Sequence, residues 1–174
     1  MPASSASLQC RDDELLDQVL GGLAQSPKRI DPIWFYDERG AALFDRVCAL
    51  PEYYLTRAEL ALMEGAYNDS AGVTAEFNRN ALLHLNRRLG ADFDVRRFVH
   101  RAVWVDAEQR IEMRLRSLCE QVVRLRGHSI EFARNEELIT EYCHKYSPEQ
   151  FEEIAGTAGL NERKQWTDEE WRFS

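Results

Sequence analysis

The hydrophobic period of the chain changes near His100, and that change points to an α+β fold. Before it, apolar residues recur at helical spacing. Leu15, Leu16, Val19, Leu20 and Leu23 predict a helix over residues 12 to about 25, with Asp12 and Asp13 suited to its start. Pro27, Asp31 and Pro32 then force an extended turn. Leu43, Phe44 and Val47 face inward on a short helix over residues 41–49, which Leu50-Pro51 ends. Thr56 and Glu59 form a capping-box pattern for a third helix, residues 57–64. Phe77, Ala81, Leu85 and Leu89 line one side of a fourth helix, residues 74–89, with Gly90 as its stop. After His100 the period is two: Ile111, Met113 and Leu115 alternate with Arg110, Glu112, Arg114 and Arg116. Residues 100–105 supply a partner strand. Gly127-His128 sits between Val123/Leu125 and Ile130/Phe132 as a hairpin turn, and residues 138–142 form another strand. Ser147-Pro148-Glu149-Gln150 opens a last helix that stops at Gly159. Residues 162–167 and 171–174 read as a terminal strand pair. The expected architecture is N-terminal helices packed on an antiparallel sheet.

Composition narrows the partners. The 174 residues suffice for one domain with a real core. A net charge of −8 and a pI near 5.1 argue against nucleic acid, whose phosphates need clustered Lys and Arg. Arg96-Arg97 and the Arg114/Arg116 pair read as solvated faces. No apolar run is long enough to span a membrane, and MPASSASLQC lacks the apolar core of a signal peptide, so a cytoplasmic protein is expected. Cys10, Cys48, Cys119 and Cys143 form no CxxC pair, and His84, His100, His128 and His144 show no metal spacing. Residues 1–11 are expected to be disordered.

Two features can carry chemistry. Aromatic residues crowd the stretch before residue 70: Trp34-Phe35-Tyr36, Tyr53-Tyr54 and Tyr67. Trp34 and Phe35 suit a core, whereas phenols near turns each need a polar partner and suit a ligand pocket. Glu141 lies in a strand between Ile139 and Cys143. If Ile139 faces inward, strand alternation brings Glu141 and Cys143 inward with it. A buried carboxylate needs a partner, and a cationic or imidazole-bearing ligand would serve. The alternative is a Glu141 that faces solvent or pairs with an arginine. No P-loop, GxSxG element or Ser/His/Asp order occurs, and no G-x-G turn is available for a dinucleotide or adenosyl-methionine.

Several motifs in order resemble one family. Ile33-Trp34-Phe35-Tyr36-Asp37-Glu38-Arg39-Gly40, Leu43-Phe44 and Leu50-Pro51-Glu52-Tyr53-Tyr54-Leu55-Thr56-Arg57 are similar to the N-terminal signature of the histidine-specific, S-adenosylmethionine-dependent methyltransferases. So are Ala66-Tyr67-Asn68-Asp69-Ser70-Ala71-Gly72, Phe77-Asn78-Arg79-Asn80, Arg110-Ile111-Glu112-Met113, and Thr140-Glu141 with Lys145-Tyr146-Ser147-Pro148. The resemblance runs from about residue 15 onward. It implies histidine as substrate, trimethylhistidine for ergothioneine synthesis as product, and S-adenosylmethionine as donor. It implies that Tyr67 binds the α-carboxylate, Glu141 holds the imidazole, Tyr53 lies near that ring and Met113 forms a wall beside it. Tyr36 is placed close to the amine and the methyl donor, as the catalytic and donor-side residue. Cys143 stands where the family often has a serine that hydrogen-bonds the imidazole, and a thiol donates more weakly.

One departure dominates. The family carries a Rossmann-type core between the block ending near Met63 and the block beginning near Tyr67, and here Glu64-Gly65-Ala66 stand in its place. Such a domain needs on the order of 100 residues or more. The resemblance therefore implies a substrate-binding domain over residues 12–146, with the core missing at about residues 63–67. Residues 147–174 are then a residual helix and strand pair of the methyltransferase domain, ending inside its final strand. The expected activity is that of a truncated histidine Nα-methyltransferase that binds little or no donor and is inactive alone. The alternative is a non-catalytic histidine-binding or interaction module. Trp166 and Trp171 on the residual strands are expected to favour self-association.

Overall fold

The computed structural model describes residues 5–50 and 67–160. The helix expected over 57–64, the Thr56/Glu59 capping box and the terminal strand pair lie outside them.

Helix α1 spans Ser5–Leu23, so part of the N-terminal stretch expected to be disordered is helical instead. Its inward residues Val19 and Leu23 are buried. A strand the sequence reading missed, β1 (Lys28–Arg29), follows within the expected extended turn. Asp31 caps a 3-10 turn over Pro32–Phe35 by accepting from Ile33 N at 2.9 Å. Helix α2 (Glu38–Cys48) is capped by Asp37 through Gly40 N at 2.7 Å. Gly40 is required there: a Cβ would lie 1.5 Å from the Phe35 carbonyl oxygen.

Helix α3 (Val73–Leu89) carries the core face read from the sequence: Phe77, Ala81, Leu85 and Leu89 are all buried. Gly90 ends it in the left-handed conformation, φ 69°, where a side chain would be strained. The strands are β2 (Phe98–Val105), β3 (Arg110–Ser117), β4 (Gln121–Leu125), β5 (His128–Phe132) and β6 (Glu137–His144). The turn between β4 and β5 has Arg126 and Gly127 at positive φ, the backbone twist that favours a tight hairpin. Helix α4 (Pro148–Thr157) has the capping box between Ser147 and Gln150. Phe151 and Ile154 on it, and Leu160 just after it, are exposed.

The sheet is not the single antiparallel one expected. Four strands form a mixed sheet, β1-β6-β3-β2, in which β1 runs parallel to β6, and β4-β5 form a separate hairpin. The β2-β3 and β3-β6 pairs are antiparallel. Helix α3 covers one face, and Leu82, Leu115, Leu138 and Phe98 belong to the core between them.

The opposite face is not merely solvated. Glu112 is buried, with its side chain only 4% exposed. Arg110 holds its Oε1 at 2.7 Å and Arg114 its Oε2 at 2.8 Å. Arg114 and Arg101 also bond Glu137, and the Arg110 guanidinium stacks 3.9 Å over Tyr142. Arg114 is thus part of a shared ionic network, while Arg96 and Arg97 are exposed as expected. No helix among the described residues is long and apolar enough to cross a membrane.

Candidate functional site

The site lies where α2, α3 and the sheet meet. A narrow cavity of about 50 Å³ is lined by Tyr36, Phe44, Val47, Tyr67, Thr74, Phe77, Met113 and Glu141. Four of the six residues singled out in sequence therefore border one space: Tyr36, Tyr67, Met113 and Glu141. Tyr53 lies outside the described residues. Cys143 is not on the wall; its thiol lies 3.3 Å from Lys145 Nζ.

Glu141 reaches the cavity through a break in the ladder. Met113 pairs with Glu141 but Arg114 pairs with Ile139, so Thr140 is an extra residue in β6. Ile139 is buried, yet it shares a face with Arg114, while Glu141 shares a face with Met113. Simple alternation would have placed Ile139 and Glu141 together, so that expectation is corrected. Thr140 stabilises the bulge: its hydroxyl lies 2.8 Å from Asn78 Oδ1 and 3.0 Å from the Met113 carbonyl.

Tyr67 is placed by its neighbours. Asn68 exchanges hydrogen bonds with the backbone of Ala102 on β2, accepting at 3.0 Å and donating at 3.1 Å. Asp69 accepts from Val73 N and Thr74 N at 2.8 and 2.7 Å, which ties the segment to the start of α3. Burial opposes the Asp69 charge, but the hydrogen bonds from Thr74, Val73 and Gly72 outweigh it and hold the carboxyl below its ordinary value.

Tyr36 sits at the rim, 54% exposed. Its ring makes edge contacts with Phe44 at 6.0 Å and Phe77 at 5.9 Å. Burial and the nearby Glu141 charge push its phenol up, so it stays protonated and available as a donor. Burial also pushes the Glu141 carboxyl up, against the pull of Lys145. Burial outweighs that pull and leaves Glu141 the desolvated acid of the cavity wall. Glu141 also lines an open groove of about 700 Å³ bounded by Gln18, Arg29, Asp31, Trp34 and Tyr142.

Thr74 and Phe77 on the cavity wall were missed as site residues because they read as the first turns of a core helix. Asn78 was passed over for the same reason, and His100 because it reads as a strand histidine without metal-ligand spacing. No cluster of His, Cys, Asp and Glu suited to a metal ion occurs among the described residues.

Fold and site together define a narrow cavity between a helical layer and a sheet. The chain belongs to the histidine-specific, S-adenosylmethionine-dependent methyltransferase family, whose model matches residues 15–65 and 62–174. A histidine N-alpha-methyltransferase of Mycolicibacterium smegmatis is 48% identical over 105 residues, covering 59% of this chain and 33% of that protein. The histidine N-alpha-methyltransferase of Mycobacterium tuberculosis is 44% identical over 117 residues, covering 66% of this chain and 36% of that protein. The chain thus matches only about a third of the length of these relatives.

The described residues do not fit a complete S-adenosylmethionine site. Among the described residues, parallel pairing is confined to Lys28–Arg29 against Leu138–Ile139. No strand-to-helix glycine turn that could approach a nucleoside or a sulfonium occurs among them.

Proposed function

We propose that this chain carries the histidine-recognising part of a histidine Nα-methyltransferase of the ergothioneine pathway, and that methyl transfer needs a donor-binding core supplied from elsewhere. The observation that carries this reading is Glu141, a desolvated carboxyl facing Tyr67 and Met113 across one narrow cavity. A carboxylate matches the imidazole of histidine, whose ordinary pKa of about 6.5 lets it bind as imidazolium or as an N–H donor. By the family resemblance Tyr67 is the phenol for the α-carboxylate, and Tyr53 is assigned a role toward the imidazole. Met113 packs beside the ring. Cys143, off the cavity wall with its thiol 3.3 Å from Lys145 Nζ, is given no direct contact with the ring. Selection against other amino acids follows because a side chain without N–H groups would leave Glu141 unpaired.

Transfer to the amine requires an in-line approach of a positioned sulfonium. Tyr36 and Phe44 contribute only the near wall of that approach. The match of the family model in two stretches that meet at residues 62–65 supports a chain in which the core is absent between them. S-adenosylmethionine is the family's donor and is not held by these residues alone.

Calorimetric titration with L-histidine and a methylation assay test the two halves. Histidine heat that Glu141→Ala abolishes, together with no methylated product from the chain alone, is the expected pair of results. Turnover by the chain alone would overturn the need for a separate core. No heat at millimolar histidine would overturn histidine recognition. Heat that persists without turnover, even when a donor domain is added, favours the non-catalytic binding module.

A further inference from the structure

Beneath the cavity runs a chain of buried polar groups that the pocket lining does not include. His100 Nε2 lies 2.8 Å from the Tyr67 carbonyl oxygen. Its Nδ1 lies 2.8 Å from Asn78 Nδ2. The same Asn78 amide donates to the Arg114 carbonyl at 3.2 Å, and Asn78 Oδ1 faces the Thr140 hydroxyl at 2.8 Å. Asn78 and Thr140 are fully buried.

The partners dictate the protonation state. A carbonyl oxygen only accepts, so His100 Nε2 must carry a proton. Asn78 Nδ2 only donates, so His100 Nδ1 must be bare. The single arrangement that satisfies both ends is the neutral Nε2–H tautomer. A second proton on Nδ1 would set two donors against each other. Turning the Asn78 amide over would relieve that contact only by setting Asn78 Oδ1 against the Arg114 carbonyl, where Nδ2 now donates. Burial also disfavours the imidazolium; Arg79 opposes it as well, while the Tyr67 carbonyl and Asp69 pull the other way.

We propose that His100 is a positioning residue: as a neutral Nε2–H imidazole it works with Asn78 to hold the Tyr67 backbone in register with the Thr140 bulge, and so fixes the two polar ends of the cavity relative to each other. Tyr67 hangs from one end of the relay and Glu141 follows directly on the residue at the other. Fully satisfied buried networks rigidify a fold because leaving any member unpaired is costly. Only the consequence for histidine affinity rests on the function proposed above; the relay itself does not.

Long-range proton–nitrogen NMR on the intact labelled chain tests the relay without ligand. The expected result is one neutral His100 tautomer, protonated at Nε2, that resists protonation below the ordinary histidine value of about 6.5. Titration at the ordinary value, or an Nδ1–H tautomer, overturns the proposal. Thr140→Val keeps the shape and removes the hydroxyl, whereas Thr140→Ser keeps the hydroxyl. Valine is expected to shift both the His100 nitrogen signals and the Glu141 carboxyl titration, and serine to leave both near wild type. Valine that moves neither signal overturns the coupling. On the same proteins, histidine affinity should fall about fivefold or more with valine, the loss of about one buried hydrogen bond, and recover with serine. If the wild-type chain binds no histidine, the assignment of function fails while the ligand-free spectra still decide the relay.

Discussion

Met113 and Glu141 face each other across β3 and β6 on the last regular rung before the Thr140 bulge. That pairing turns a carboxyl toward the helical layer, where no basic side chain lines the cavity among the described residues. The site is therefore built at a cost to the empty fold, and that cost is measurable.

Glu141 has its folded-state carboxyl raised above its unfolded value by burial. Such a group favours folding below the ordinary carboxylate pKa, about 4.3, and loses that contribution as pH rises through the raised value. Glu141→Gln is expected to gain stability relative to wild type between about pH 4 and pH 7. Thermal melts across that range check it. Added histidine should raise the wild-type midpoint at neutral pH and leave the variant unchanged. A wild type that becomes the more stable of the two at neutral pH would mean that Glu141 is already paired in the fold.

Glu112 sits buried between Arg110 and Arg114 on the opposite face. Glu112→Ala removes the carboxylate shared by two guanidinium groups that are only 19% and 22% exposed, leaving Arg114 to Glu137 and Arg110 to Glu108 and the Tyr142 ring. A loss of about 3 kcal/mol is expected from urea unfolding, and it should persist in high salt. The exposed pair Arg96–Asp94 gives the contrast: Arg96→Ala should leave the unfolding midpoint essentially unchanged, because solvent screens that pair.

Gly40 has no room for a side chain against the Phe35 carbonyl. Gly40→Ala must push α2 away from the 3-10 turn that carries Trp34 and Phe35. A destabilisation of about 3 kcal/mol is expected, with altered fluorescence from Trp34. Ala substituted at the exposed Gly21, where a Cβ meets nothing within 4 Å, should be neutral or slightly stabilising.

Asp69 accepts from two backbone N–H groups at the start of α3, and its carboxyl is held below its ordinary value. Its contribution is present above the unfolded pKa, about 3.9, and is lost as pH falls through the lower folded value. Asp69→Ala should cost about 1–2 kcal/mol at neutral pH, and the difference from wild type should narrow in acid. Denaturant titrations at neutral and acidic pH make the comparison.

Phe151, Ile154 and Leu160 expose apolar surface on and just beyond α4. Concentration-dependent association is expected in gel filtration with light scattering, and Phe151→Glu with Ile154→Glu should abolish it. A strictly monomeric wild type at high concentration would rule this surface out as an association site.

Much of the fold follows from local rules. The alternation of Ile111, Met113 and Leu115 with Arg110, Glu112 and Arg114 identifies β3 because strand neighbours point to opposite faces. Ser147 with Gln150 fixes the start of α4, and Gly90 fixes the end of α3, because caps satisfy backbone groups within a few residues. The same locality explains the misses. A two-residue parallel edge such as β1 has no period to read. The burial of Glu112 depends on arginines that the ladder aligns beside it.

From sequence alone come the α+β class, the family and four of the residues that surround the cavity. The family follows because its motifs are contiguous blocks, legible without folding. Tertiary structure alone decided which way Glu141 points. Alternation groups it with Ile139, but the Thr140 bulge reverses that, and the bulge is held by Asn78, 62 residues away in the chain. A rule of period two is valid only along an unbroken ladder, and whether the ladder breaks is decided by a hydrogen-bond partner on another element.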